Sequence, residues 1–230
     1  MDNIRLIQTG DGSSSLLNIA LNETYHSTHG AIQESNHVFI KNGLHFFIEK
    51  NQPASVSVFE VGFGTGLNAL LTLLFSAENN IQVDYTSIEA FPIDSKIASQ
   101  LNYSSLLPAN QTGDYFKLLH EIGWGKKIKV TNSFSLQKIR TTIQDFNFQG
   151  NQFDVIFFDA FAPAKQPEMW ELTILEKVIR GLKQNGIFIT YCAQGQLKRN
   201  LKSLGLSVES LPGPPGKREM VRGGKKIDSN

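Results

Sequence analysis

The sequence has a single cysteine, no long apolar run and almost no net charge. Because Cys192 is the only cysteine in 230 residues, no internal disulfide can form, which is typical of a reducing compartment. No stretch approaches the roughly 18 consecutive apolar residues of a membrane-spanning helix. The first residues also lack the basic and apolar regions of a secretory signal. We therefore expect a cytoplasmic protein without a membrane association.

The net charge of +1 neither favours nor excludes a nucleic-acid partner, but the basic residues are unevenly distributed. Between Tyr191 and Lys226 there are eight lysines and arginines against two acids, Glu209 and Glu219. Such a basic end can neutralise phosphates, although an ordinary solvated surface accounts for it equally well.

Strands and helices are predicted to alternate along most of the chain. The expected strands are 56–61, 81–91, 127–132, 153–161, 186–192, 206–211 and 218–223. The expected helices are 67–77, 136–146, 167–182 and 196–204, with Pro92 in the first turn of a further helix. This alternation predicts an α/β fold with a doubly wound, mostly parallel sheet covered on both faces, as in Rossmann-like proteins.

We predict one globular unit, with an N-terminal extension (1–55) packed on a catalytic domain (56–230). A helical segment from Leu101 to Lys127 is expected as an insertion. Ligands of such sheets bind at the carboxyl ends of the strands, so the polar residues there are expected to face one crevice. These residues are Glu60, Glu89, Asn132 and Asp159.

The stretch "EVGFGTGLN" places Gly62, Gly64 and Gly66 between the first core strand and the following helix. The spacing departs from the Gly-x-Gly-x-x-Gly dinucleotide fingerprint, because the third glycine comes one residue early. Glu60 suits a ligand that carries an ammonium group better than one that carries a pyrophosphate. Glu89 ends the second strand, where a carboxylate can accept from both hydroxyls of a ribose. These features favour S-adenosylmethionine, with Ala90 beside it.

In the stretch "FFDAFAPAKQPEMW", an apolar run ends at Asp159. An ionised carboxylate is costly to bury without a partner, so Asp159 is expected to face the crevice. Pro163 and Pro167 restrict the loop that follows, which can hold Asp159 and Phe161 still against a ligand. Methyl transfer depends on such alignment.

"DAFAPAKQPEMW" closely resembles the signature of the MnmC methyltransferase domain and its standalone counterpart MnmD. The stretches "DGSSSLLN", "ETYHSTHGAIQESNHVFI", "FEVGFGTGLNALLT" and "GKREM" are similar to the same family in the same order. The resemblance implies a class I methyltransferase that transfers a methyl group from S-adenosylmethionine to the primary amine of 5-aminomethyl-2-thiouridine at the tRNA wobble position. The resemblance implies the methyltransferase half alone, and a flavin-dependent oxidase domain is not expected in this polypeptide. A separate enzyme that prepares the aminomethyl group is one possible partner, which the sequence leaves open.

The resemblance and the chemistry assign further site residues. A primary alkylamine has a pKa of about 10.4 and arrives protonated, so we expect Asp159 to capture and orient it while the proton leaves to water. The resemblance places Tyr25, His26 and His29 near the acceptor, although ordinary surface or packing roles account for them equally well. Many relatives carry an acid where this chain has Asn132, whose carbonyl can accept from the adenine amino group.

Contacts with the anticodon loop of tRNA are expected from Lys165, Lys217 and Arg218, with Phe161 stacking on a splayed base. Trp170 is expected either to pack or to line the pocket. The histidines lack the companions of a metal site, so no metal is expected. Two other readings stay open: an enzyme that acts on a small-molecule amine, and a cofactor-binding scaffold without catalysis.

Overall fold

A mostly parallel sheet of eight strands, with helices on both faces, forms the centre of the computed structural model, which describes residues 3–107 and 115–226. The strand order within this part of the chain is β10-β11-β9-β8-β4-β5-β7-β6. The eight strands are β4 (Ser55–Val61), β5 (Gln82–Glu89), β6 (Lys127–Lys129), β7 (Phe134–Arg140), β8 (Phe153–Phe158), β9 (Leu182–Thr190), β10 (Leu206–Pro212) and β11 (Glu219–Lys225).

The two central strands, β4 and β8, are the most apolar. Residues 155–158 of β8 are completely buried, because helices cover both faces of the sheet. Parallel pairing places Glu60 opposite Phe157 and Val61 opposite Phe158, and it aligns β5 with β4 from Ser55 onward. The carboxyl ends of β4, β5, β7, β8 and β9 therefore meet at one edge of the sheet.

The helices divide between the two faces and enclose one hydrophobic cluster on each. Their bounds are α1 (Ala31–Ser35), a π-helical stretch (Asn36–His45), α2 (Phe46–Asn51), α3 (Leu67–Glu78), α4 (Ser95–Ala98), α5 (Tyr103–Leu106), α6 (Tyr115–Glu121), a 3₁₀ turn (Pro167–Trp170), α7 (Leu172–Arg180) and α8 (Gly195–Ser203). The apolar α3 begins directly after the glycine turn and is buried along most of its length, which fixes that turn at the edge of the sheet.

Residues 3–51 form a small antiparallel sheet followed by a long helical stretch. The sheet consists of β1 (Ile4–Gln8), β2 (Ser14–Asn18) and β3 (Glu23–Thr24). Phe39 of the π-helical stretch packs on Phe157 of β8 at a ring distance of 5.1 Å, so this segment shares the main hydrophobic cluster. The division into an extension and a catalytic domain at residue 55 stays a prediction.

The predicted helix at 136–146 is wrong: residues Phe134–Arg140 form β7, which is parallel to β5. Alternate residues of β7 are buried, among them Phe134, Leu136 and Lys138, which is the two-residue period of a strand. The segment expected as the third parallel strand is the short antiparallel edge strand β6. The third parallel strand is therefore β7, one element later in the chain than predicted.

Smaller differences concern the ends of elements. Pro92 precedes the N-cap of α4, Asp94, and so does not lie in the first turn of that helix. The expected helix at 167–182 is divided between the 3₁₀ turn and α7, because Glu171 has an extended backbone. β9 begins and ends earlier than predicted, so Cys192 follows the strand, where it is buried. Among the described residues, no helix is long and apolar enough to cross a membrane.

Candidate active site

A cavity of about 900 Å³ opens at the carboxyl edge of the central strands. Its walls come from the glycine turn, the ends of β5, β7 and β8, and the loop that joins β3 to α1. The described lining residues carry five carboxylates and one lysine, so the cavity favours cationic ligands. The carboxylates are Glu23, Glu34, Glu89, Asp159 and Glu168, and the lysine is Lys217.

The glycine turn brings its backbone close to the cavity. Gly62, with a φ of 92°, and Gly64, with a φ of 51°, both line the cavity. A β-carbon at Gly62 would lie 3.0 Å from the carbonyl oxygen of Asp159, and one at Gly64 would lie 3.3 Å from the Tyr25 ring. Gly66 has a φ of 77°, but it packs against Phe63 and does not line the cavity.

Glu89 ends β5 with its carboxylate held by two backbone amides. Oε2 accepts from the N–H of Gly64 at 3.0 Å, and Oε1 accepts from the N–H of Phe91 at 2.9 Å. Each oxygen retains a second lone pair, and Glu89 and Ala90 both line the cavity. The carboxylate is therefore oriented before a ligand arrives.

Glu60 does not take the position expected from the sequence. Its side chain is completely buried beneath the glycine turn and does not line the cavity, so the expected contact with a cofactor ammonium is not available in this geometry. Oε2 accepts from the hydroxyl of Ser87 at 2.6 Å. Burial, with a smaller contribution from the nearby charge of Asp159, raises the pKa of Glu60 to about 8, although the hydrogen bond with Ser87 lowers it. The prediction was wrong because alternate residues of a strand face opposite sides of the sheet, and residue 60 faces the side that α3 covers.

Asp159 follows β8 and lines the cavity. The Asn68 amide, in the first turn of α3, donates to Asp159 Oδ2 at 2.8 Å. Burial raises the pKa of Asp159 to about 7; Glu34 raises it, while Asn68 and Lys217 lower it. The pKa of this carboxyl therefore lies near neutrality, above the ordinary range of an aspartate.

The loop after Asp159 is fixed by hydrogen bonds to its carbonyl groups. The Tyr191 hydroxyl donates to the carbonyl of Ala160 at 2.9 Å, and the Trp170 indole donates to the carbonyl of Phe161 at 2.8 Å. Trp170 is buried against Phe158 and does not line the cavity, so its role here is packing. Phe161 itself lines the cavity.

The side of the cavity opposite the sheet is formed by the segment between β3 and α1. The Tyr25 ring meets Phe161 edge to face at 5.1 Å. His26 and His29 also line the cavity. His26 is buried between Ser15, at 3.0 Å from Nδ1, and Thr65, at 3.4 Å from Nε2, and burial lowers its pKa to about 4. His26 therefore holds the glycine turn in place as a neutral side chain.

Of the three predicted phosphate contacts, Lys217 lies in the wall of the cavity. Its ammonium is 2.6 Å from the buried carboxylate of Glu34 and 3.7 Å from the centre of the Tyr191 ring. Lys217 is thus engaged within the site and does not form an open phosphate contact. Arg218 is exposed and Lys165 half-buried, and neither lines the cavity.

Asn132 lies at the opposite edge of the sheet. It precedes β7, whose first residue pairs with Val83 near the start of β5, and it does not line the cavity. The carboxyl end of β7 instead leads into Thr141–Gln144, which does line it. The assignment of Asn132 to the adenine is therefore corrected, because the third parallel strand was placed one element too early.

Asn68 and Glu34 belong to the site but were not predicted from the sequence. Asn68 is a single polar residue in the first turn of the apolar helix α3, and that contrast was a usable signal. Glu34, in α1, is only 6% exposed. Its carboxylate accepts from the backbone N–H of Ser27 and pairs with Lys217, and both contacts depend on the tertiary fold. Spacing in the sequence does not reveal a contact across 183 positions.

The residues present fit S-adenosylmethionine. The two cavity-lining glycines leave room that a β-carbon would occupy, the Glu89 carboxylate is preoriented, and the acidic cavity suits a ligand with a sulfonium and an ammonium. The strand order, with antiparallel β11 between β10 and β9, and the glycine turn define a Rossmann-like class I methyltransferase fold.

Comparison with known proteins shows what the chain is similar to. A family model described as S-adenosyl-L-methionine-dependent methyltransferase matches residues 119–226. The resemblance to the MnmC methyltransferase domain drawn from the sequence is confirmed. The chain is 32% identical over 213 residues to the tRNA 5-methylaminomethyl-2-thiouridine biosynthesis bifunctional protein MnmC of Nitrosospira multiformis, covering 87% of this chain and 34% of that protein.

A second relative and a solved structure are also similar to this chain. The MnmC protein of Idiomarina loihiensis is 31% identical over 215 residues, which cover 87% of this chain and 35% of that protein. The chain thus spans about a third of the length of the curated relatives it matches. The crystal structure of MnmC2 from Aquifex aeolicus has the same fold, with a TM-score of 0.76 and 24% identity over 100% of this chain and 72% of that one.

Proposed function

We propose that the protein transfers a methyl group from S-adenosylmethionine to the primary amine of 5-aminomethyl-2-thiouridine at the wobble position of tRNA. The observation that carries the proposal is the similarity, along 87% of the chain, to proteins named for tRNA 5-methylaminomethyl-2-thiouridine biosynthesis. The acidic cavity, which ends on Asp159, supports an amine as the acceptor.

Asp159 captures and orients the amine. A free alkylamine has a pKa of about 10.4, so it enters the cavity as a cation, and an ionised Asp159 attracts it. Because the pKa of Asp159 is raised to about 7, this carboxylate is a stronger base than an ordinary carboxylate. The amine proton leaves to water, and the carboxylate holds the free amine toward the cofactor.

In this proposal the residues at the carboxyl ends of β4 and β5 would hold the cofactor. Glu89 would accept from the ribose hydroxyls with Ala90 beside them, and Gly62 and Gly64 would allow the ligand to approach the backbone. When bound, S-adenosylmethionine supplies an electrophilic methyl group. Tyr25 and Phe161 form apolar walls that exclude water from the acceptor side.

The acceptor is a base splayed out of the anticodon loop, which enters the cavity between the Asp159 loop and the segment before α1. Phe161 and Tyr25 provide the aromatic surfaces against which it stacks, with His29 at the same wall. A separate enzyme supplies the aminomethyl group in the cytoplasm, where tRNA is modified. Arg218 and Lys165 are proposed to contact phosphates of the RNA.

The test uses cofactor with a labelled methyl group and three acceptors: tRNA bearing 5-aminomethyl-2-thiouridine, the same tRNA with an unmodified wobble uridine, and a polyamine. Label is expected only in the first. The replacement Asp159→Ala should lower turnover on the order of 100-fold, because alignment of the amine is lost, while cofactor affinity measured by calorimetry is kept.

The other outcomes are equally informative. Label in the polyamine alone would identify a small-molecule amine methyltransferase, and cofactor binding without label in any acceptor would identify a scaffold. Near-normal turnover of Asp159→Ala would remove this carboxylate from the mechanism. Turnover of the wild type should fall as the pH drops below about 7, since the carboxylate then becomes protonated.

A further inference from the structure

A group of buried polar side chains lies directly beneath Asp159. Four of their atoms have no aligned hydrogen-bond partner among the described residues, although burial makes an unsatisfied polar group costly. These atoms are Glu60 Oε1, Asn68 Oδ1, Tyr85 Oη and Thr72 Oγ1. All four residues are at most 3% exposed.

The fold places these side chains against one another. Glu60 pairs with Ser87 across β4 and β5, and Tyr85 lies two residues before Ser87 on the same face of the sheet. Asn68 and Thr72 lie one helical turn apart on α3, which covers that face. The Glu60 carboxyl interacts with both Asn68 and Tyr85, and the Tyr85 hydroxyl interacts with Thr72.

The donors and acceptors are satisfied together when Glu60 carries a proton. One N–H of the Asn68 amide donates to Asp159, and Asn68 Oδ1, which has no partner among the described residues, needs a donor. A neutral carboxyl at Glu60 donates to that oxygen through Oε1, while Oε2 continues to accept from Ser87. The Tyr85 hydroxyl, which interacts with Thr72, then donates to the same carboxyl.

We propose that Glu60 is a positioning residue: as a neutral acid it donates to Asn68 Oδ1, which orients the Asn68 amide toward Asp159 and so fixes the carboxylate that receives the acceptor amine. The inference rests on the proposed function, since it assigns Asp159 to the amine. Glu60 touches neither the cavity nor a substrate, and it acts through Asn68.

The electrostatics agree with a neutral Glu60. The titratable groups that face it are Asp159, from the end of β8, and Tyr85, from β5. Neither supplies a positive charge, and burial raises the pKa of Glu60 to about 8 although the hydrogen bonds with Ser87, Asn68 and Tyr85 lower it. The proton is therefore retained at neutral pH and lost as the pH rises past about 8, at which point Asn68 loses its donor.

Two replacements of Glu60 separate this role from simple stability. Glu60→Gln keeps a donor for Asn68 and an acceptor for Ser87, so turnover at pH 7 should stay close to that of the wild type. Glu60→Met removes the donor, and turnover should fall on the order of 10- to 100-fold with cofactor affinity retained. The turnover ratio of Glu60→Gln to wild type should rise above pH 8, because only the wild type loses its proton there.

A matched control is Lys138→Met, which removes another buried polar group from the same sheet. Lys138 pairs with Ser87 across β5 and β7, but its ammonium donates to the carbonyls of Leu119 and His120. It should lower the melting temperature while turnover, measured well below melting, is kept. If Glu60→Met lowered turnover no more than this control, the positioning role would be refuted.

An infrared measurement tests the protonation state without any assay of activity. In an Asp159→Asn background, which removes the neighbouring carboxyl, the carbonyl band of a protonated carboxylic acid is expected at pH 7 and should vanish with Glu60→Gln. Absence of that band, or a Glu60→Gln variant as impaired as Glu60→Met, would show that Glu60 acts as a carboxylate and overturn the inference. If the wild type failed to methylate the RNA, the proposed function would fail, whereas the infrared band would still decide the state of Glu60.

Discussion

At the scale of single residues, the site depends on buried groups whose charge state differs from that in water. Asp159 and Glu60 have raised pKa values because burial disfavours the carboxylate. His26 and His120 have pKa values lowered to about 4 because burial disfavours the imidazolium. Both histidines bond to Thr65, within the glycine turn, so the neutral imidazoles support the cofactor side of the cavity.

The neutral state of His26 should contribute to stability in a pH-dependent way. The unfolded chain binds a proton at His26 below its ordinary pKa of 6.5, whereas the folded chain resists protonation until about pH 4. The stabilisation by neutral His26 is thus complete above pH 6.5 and is lost as the pH falls toward 4, by about 3 kcal/mol at most. Because the raised pKa values of Asp159 and Glu60 act in the opposite direction over this range, the loss is measured by comparing urea unfolding of the wild type and of a variant without His26 at pH 7 and at pH 4.5.

The replacement His26→Gln should reduce that acid-dependent loss, because glutamine keeps a polar side chain between Ser15 and Thr65 without titrating. His120 contributes in the same direction, so part of the pH dependence should remain in the variant. An unchanged difference between the two pH values would show that His26 is not held neutral in the folded protein.

At the scale of elements, the glycine turn sets the distance between the cofactor side and Asp159. A β-carbon at Gly62, with a φ of 92°, would meet the backbone oxygen of Asp159 at 3.0 Å. Gly62→Ala should therefore lower the free energy of unfolding by about 1–3 kcal/mol and also displace Asp159, with reduced cofactor affinity and turnover. Calorimetric binding and the labelled-methyl assay measure both effects.

Gly150 provides a matched control for backbone strain. Its φ is 90°, but a β-carbon there would meet nothing within 4 Å. Gly150→Ala should lose stability through strain alone, with cofactor affinity and turnover intact. If the two variants differed only in stability, or if both kept the cofactor affinity of the wild type, the close approach of Gly62 to Asp159 would not contribute to function.

The elements also show where sequence reasoning succeeds and fails. β4, α3, β5 and β8 follow from continuous apolar runs and the glycine turn, and they place Gly62, Glu89 and Asp159 correctly at the sheet edge. β7 was misread because Lys138 and the polar residues between its apolar positions obscure a two-residue period. Its lysine is buried only because the carbonyls at the end of α6 accept its hydrogen bonds. Such a tertiary partner has no signal in a local window.

At the scale of the whole molecule, charge is separated between the cavity and its surroundings. The cavity is acidic. Exposed Arg218, in contrast, directly precedes β11. The start of β11 lies at the carboxyl edge of the sheet, because Val221 pairs with Thr190 at the end of β9. Lys165 belongs to the loop that follows Asp159 at the same edge. Under the proposed function, an acidic interior attracts the cationic amine, and the basic residues outside it contact the phosphates of the RNA that carries the amine.

This arrangement predicts how salt and charge reversal affect RNA binding. Arg218→Glu and Lys165→Glu should each weaken tRNA binding and lower the slope of log affinity against log salt by about 0.7–1 per lost phosphate contact. The matched control is Lys129→Glu, because Lys129 is exposed on the edge strand β6, where its partner Ser135 lies near the amino end of β7. Filter binding over a salt series should show a lower slope for the first two variants and an unchanged slope for the control. Equal slopes in all three would place the RNA on another face of the molecule, because a phosphate contact at the cavity edge must release counterions when it forms.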